Sequence, residues 1–143
     1  RPNLSLLTCP PPLALEPRVL FMVGLWDPAK VAPHDPSRVP EFEQINLTRA
    51  GCVRQLRAAF GPAFFGGTQR SPFAMRYAPD TLLSDTSVSS KRSYLRKVRD
   101  SAICIATTGL HGSNGCKLGE YVALSRAIVT EPLRYQVDFE LGY

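Results

Sequence analysis

One stretch, SAICIATTGLHGSNGCKLGEYVALSRAIVTEP from Ser101 to Pro132, constrains the fold of this chain more than any other. Ala102 to Ala106 is a short, unbroken apolar run, the pattern of a strand covered on both faces. Thr107 to Gly115 is small, polar and punctuated by glycine, so it cannot contribute a core and must be a loop. Helical spacing resumes from Lys117 to Ala127, with Leu118, Tyr121, Val122 and Ser125 on one side. Ile128 and Val129 then open a second buried strand that Glu131 and Pro132 end. Two buried strands joined by one helix imply a parallel, right-handed crossover. Ligands bind such units where the loop leaves the carboxyl end of the strand.

The rest of the chain repeats the alternation. Arg18 to Val23 is apolar without a period of two, which predicts a central parallel strand, and Gly24 ends it. A proline-rich loop runs to Pro40. Glu41 to Phe60 is the strongest helix, its stripe of Phe42, Ile45, Cys52, Val53, Leu56 and Phe60 broken only by Arg49, and Gly61-Pro62 stops it. Ala63 to Gly66 reads as a short strand. Gly66-Gly67 reads as a turn or, alternatively, a phosphate loop. The pattern from Thr68 to Ser90 is weak, with a short strand possible near Thr81 to Leu83. Ser89 or Ser90 then caps a helix over Lys91 to Asp100 that buries Tyr94, Leu95 and Val98. After Pro132 the tail is compatible with a loop, an edge strand or a returning helix. Alternating strands and helices predict an α/β fold, a Rossmann-like three-layer domain with a mostly parallel sheet. The expected organisation is a proline-rich lead-in or linker over residues 1–17 and one domain over residues 18–143.

Composition narrows the setting. Forty-four per cent hydrophobic and 20% charged residues are ordinary for a globular chain, and no apolar run approaches the ~20 residues that span a bilayer. Three consecutive prolines in the lead-in argue against a signal peptide. The net charge of +5 is concentrated on Lys91, Arg92, Arg96, Lys97 and Arg99, on one predicted helix. That is the pattern of a solvated helix face, and it argues against a dedicated nucleic-acid partner. Cys9, Cys52, Cys104 and Cys116 have neither CxxC nor regular spacing, so reduced thiols and no metal site are expected. The expected location is cytoplasmic, with peripheral association at the cytoplasmic face of a membrane compatible with the charge.

The chemistry concentrates in the polar loop. A loop that feeds a helix N-terminus offers unpaired N–H groups and the positive end of the macrodipole. Gly109, Gly112 and Gly115 let backbone approach an anion, while Thr108, Ser113 and Asn114 can donate to it. Lys117 adds a full charge, and the set suits a diphosphate. Neither the P-loop pattern nor GxGxxG occurs here. Glu120 is placed either to accept from the paired hydroxyls of a ribose or simply to complement the helix dipole. His111 is a phosphate ligand, a base or an exposed loop residue. Trp26 and Tyr121 are base-stacking candidates or core.

These residues resemble a family. LGEYVALSRAIVTEPL, preceded by KRSYLRKVRDSAICIATTG and by RVLFMVGLWDPAK near the start, is similar to the nucleotide-sugar-binding half of GT-B fold glycosyltransferases, as in family 1, family 4-like and exostosin-like enzymes. The resemblance covers most of Arg18 to Tyr135 and is specific over Gly109 to Pro132. It implies glycosyl transfer from a nucleotide-diphosphate sugar donor without a bound metal or other cofactor. In that family the second glutamate of a Glu-x7-Glu motif contacts the donor ribose. Glu120 matches it, and Gly112 stands where the first would be. A basic residue near the end of the first strand serves the diphosphate there, and Lys30 or Lys117 would take that part. The resemblance also implies a separate acceptor-binding domain or partner chain. The competing readings are a degenerate, non-catalytic nucleotide- or partner-binding module and, last, a receiver-like regulatory domain. The acidic cluster a receiver needs is not at these strand ends.

Overall fold

The computed structural model describes residues 17–85, 88 and 90–137; all but the last residue of the lead-in over residues 1–17, the cap candidate Ser89 and the last six residues lie outside them. Four strands, β1 (Val19–Val23), β2 (Phe64–Thr68), β3 (Ile103–Ala106) and β4 (Ala127–Thr130), form one sheet in the order β2-β1-β3-β4. Every pairing is parallel. Four helices accompany them: α1 (Val39–Phe60), α2 (Pro72–Tyr77), α3 (Lys91–Arg99) and α4 (Gly115–Ala123).

β1 is the centre of the fold, and all five of its residues are buried. Its alternate side chains feed two cores. Val19, Phe21 and Val23 pack with Val53 and Leu56 of α1. Leu20 and Met22 pack on the other face with Tyr94 and Val98 of α3 and with Tyr121 and Leu124 from α4 and its end. The domain is therefore a three-layer α/β sandwich of Rossmann-like type, α1 on one face and α3 with α4 on the other. Right-handed crossovers that run in opposite directions along the sheet, β1 to β2 and then β2 to β3, put their helices on opposite faces.

Local chemistry fixes most element ends. Ser90 and Ser93 form a reciprocal capping box at the start of α3. Ser71 caps α2, which the weakly patterned segment conceals. α4 spans Gly115–Ala123 rather than continuing to residue 127, because Ser125 adopts a left-handed conformation (φ 56°). The guanidinium of Arg126, 5% exposed, then donates to the carbonyls of Leu124 (2.6 Å) and Arg99 (2.8 Å), filling acceptors at the ends of both α4 and α3. β4 is half-exposed, with Val129 57% accessible, so it is an edge strand and not the doubly covered one its apolar residues suggest. Gly66 and Gly67 lie inside β2 instead of forming a turn or a phosphate loop. A Cβ on Gly66 would stand 2.0 Å from the Phe21 carbonyl oxygen, so only glycine lets β2 approach β1 there.

No described helix is long and apolar enough to cross a membrane. The α3 basic run is a largely solvated face in which Lys91 pairs with Glu120 and Lys97 with Asp85 (3.2 Å).

Candidate functional site

The strand order reverses direction between β1 and β3, the point at which open α/β sheets bind ligands. The two strands pair only at Val19–Ile103 and Leu20–Cys104 and then part toward their carboxyl ends. Lys117 enters that gap from the first turn of α4 and donates to the Met22 carbonyl of β1. Above it opens a crevice of about 380 Å3. Trp26 and Gly24 after β1, Arg49 of α1, the loop after β3 and the first turn of α4 line it.

Arg49 is the residue that sequence reasoning passed over. It breaks the apolar stripe of α1, yet it is only 8% exposed. Its guanidinium donates to the Gly24 carbonyl (2.8 Å), the Thr107 hydroxyl (3.3 Å) and the Thr108 carbonyl (3.3 Å), tying the loops after β1 and β3 together. Two of its five N–H groups remain available. It makes no ion pair among the described residues, although Glu131 partly offsets the lowering of its pKa by burial. The signal available in the sequence was a lone arginine on an otherwise apolar helix face, which has to be satisfied by something.

Lys117 is the second cation. Burial, and then the positive charge of Arg49, lower its pKa to about 8. A buried cation and a half-buried one thus face one crevice and disfavour each other, and no carboxylate lines that crevice among the described residues. The α4 N-terminus adds its dipole, and Asn114 gives it no side-chain cap. Asn114 instead donates to the Tyr135 carbonyl (2.9 Å), while its Oδ1 is buried without a partner and able to accept from a ligand. Desolvated cations, an uncapped helix start and no acid among the described lining residues make the crevice electropositive.

Lys117 makes that site sensitive to pH. An anion would favour the charged ammonium, so the affinity of any anion in this crevice is expected to be greatest below about pH 8 and to fall as Lys117 deprotonates in the free protein. Between pH 7.5 and 9.5 we expect a roughly tenfold loss for a diphosphate ligand by calorimetry, and Lys117→Arg should flatten the profile. In the unliganded chain the same shift costs stability. The cost is complete below pH 8 and fades as pH rises toward the ordinary lysine value, because the unfolded chain binds that proton more tightly.

The other candidates separate into groups. Gly109, Ser113, Asn114, Gly115 and Lys117 line the crevice. Thr108 faces away from it, where its N–H (2.6 Å) and hydroxyl (2.9 Å) both donate to Glu131 at the end of β4. His111 is exposed and left-handed (φ 57°). Its N–H donates to Glu41 and its carbonyl accepts from the Tyr135 hydroxyl (3.0 Å). Gly112 (φ 68°) packs against Arg134, whose Cδ would be 2.6 Å from any Cβ there. Glu120 lies on the α3 side of α4. Its Oε1 pairs with Lys91 and its Oε2 is buried without a partner. Lys30 closes a short 3-10 turn that Asp27 caps, outside the crevice lining. Trp26 meets Phe42 edge-on (5.3 Å between centroids) with one side on the crevice, whereas Tyr121 is fully buried. Cys52, Cys104 and Cys116 carry free thiols, and no three of the described His, Cys, Asp and Glu residues come together as a metal cluster.

Comparison with protein-family models, curated proteins and solved structures finds no match to this chain.

Proposed function

We propose that this chain is the donor-binding domain of a glycosyltransferase of GT-B type, holding a nucleotide-diphosphate sugar at the β1/β3 crevice. One observation carries the reading: the buried Arg49 and the half-buried Lys117 converge with the uncapped start of α4 on a crevice with no carboxylate among the described residues that line it. The diphosphate lies across Arg49, Lys117 and the N–H groups of Gly115 and Cys116. Trp26 offers an aromatic wall to the base, and Ser113 and Asn114 contact the polar remainder. No cofactor enters this reading, since guanidinium, ammonium and helix dipole supply the charge that stabilises a leaving diphosphate. In this reading transfer to an acceptor involves a second domain or partner chain, as the resemblance to GT-B enzymes implies. A cytoplasmic setting, at or near a membrane face, belongs to the same proposal.

A second reading, a nucleotide-binding module without turnover, draws support from Glu120. Its carboxylate is held by Lys91 on the α3 side, so a ribose would have to displace that ion pair. Thermal shift with millimolar UDP, GDP and ADP tests both. Stabilisation by a diphosphate, reduced in Lys117→Ala, supports donor binding. If Glu120→Ala leaves that stabilisation unchanged, the ribose role fails. If no nucleotide stabilises the chain, donor binding fails.

A further inference from the structure

A second cavity, of about 270 Å3, lies on the far side of Arg49 and shares Arg49 and Gly109 with the crevice. It is smaller than the ~300–1,000 Å3 of a complete ligand site, so it suits one group of a larger ligand. Its lining is unlike that of its neighbour. α1 presents Glu41, Gln44 and Thr48 along one face, and the chain after β4 brings Glu131 and Arg134. Several of these groups have capacity left. Glu131 uses Oε2 for Thr108, and its Oε1 takes no hydrogen bond among the described residues. Arg134 makes no ion pair among the described residues, and Gln44 uses only its amide N–H, toward Thr48 (3.3 Å).

Charge decides what fits. A second anionic group would meet Glu41 and Glu131, a cation would meet Arg49 and Arg134, and an apolar group would leave these polar side chains unpaired, with Ile45 the one hydrophobic side chain among the described lining residues. A neutral polyhydroxyl group satisfies all of them, because each hydroxyl both donates to carboxylate or amide oxygen and accepts from guanidinium. We infer that this cavity is the subsite for the sugar of the donor, with Glu131, Gln44 and Arg134 as its specificity-determining side chains. This rests on the donor-binding reading above. Arg49, in the shared wall, then touches the diphosphate on one side and the sugar on the other.

Calorimetry with UDP, GDP, UDP-glucose, UDP-galactose, UDP-N-acetylglucosamine and GDP-mannose tests it on wild type, Gln44→Ala and Arg134→Ala, both exposed positions whose replacement spares the core. The expected result is a three- to tenfold weaker binding of the preferred sugar nucleotide in each variant, the size of one hydrogen bond, with the free diphosphate unchanged within about twofold. Glu131→Gln keeps an acceptor for Thr108 and should change the ranking of the sugars. If a free diphosphate binds but sugar nucleotides respond to neither exposed variant, the subsite is overturned and the anion crevice stands. If no diphosphate binds at all, both fall together.

Discussion

Arg49→Met should weaken binding of a nucleoside diphosphate by about 100-fold, or ~3 kcal/mol, and lower stability as well. Both effects have the same origin. The guanidinium holds the Gly24 and Thr108 carbonyls and the Thr107 hydroxyl, so its loss frees both loops that form the crevice. Leaving those acceptors partly buried costs more than relief of the desolvated charge returns, for a net ~2–3 kcal/mol and a fall in Tm of about 10 °C. Lysine does not repair it, because a point charge cannot address three divergent acceptors. An internal readout accompanies the change. Removing the Arg49 charge should move the Lys117 pKa upward from about 8, since that charge is the second cause of its depression. A variant that lost affinity with no change in the Lys117 titration would show that the two cations do not share a site.

Tyr121→Ala should be the most destabilising change, at about 3–5 kcal/mol, a large part of the ~5–15 kcal/mol that holds such a domain. Tyr121 is fully buried, and it packs where α4 closes over Leu20, Met22 and Cys104. Its hydroxyl reaches the Ile105 carbonyl only at 3.5 Å, so Tyr121→Phe should cost under ~1 kcal/mol and leave nucleotide affinity intact. Denaturant unfolding of the pair separates core from ligand contact. A loss of binding in a stable Tyr121→Phe protein would make the ring a base-stacking residue after all.

The fold was legible because its central strands leave no ambiguity. β1 and β3 are unbroken apolar runs, and the glycine-rich loop before α4 can be nothing but a loop. Less legible were features decided by tertiary neighbours. β4 is as apolar as β3, yet it has a strand on one side only, which no local pattern encodes. Gly66-Gly67 reads as punctuation until β1 is seen to press against it. The site divides along the same line. Loop and lysine were visible because anion binding uses contiguous residues at a helix start. Arg49 and Glu131 meet Thr107 and Thr108 across 58 and 23 positions of sequence, and periodicity reports which face a residue occupies but not what stands opposite. Glu120 shows the converse. Its place on α4 was readable, while its ion pair with Lys91 depends on how α3 and α4 lie together.

The proposed diphosphate site is the crevice at the β1/β3 divergence, between Arg49, Lys117 and the start of α4. A structure of the chain with the best-binding nucleoside diphosphate tests this most directly. Phosphate oxygens should lie within hydrogen-bond distance of the Arg49 guanidinium and the Gly115 and Cys116 N–H groups, with Lys117 Nζ turned from the Met22 carbonyl toward the ligand. A diphosphate bound elsewhere, or one in the crevice that leaves Arg49 and Lys117 untouched, would contradict it.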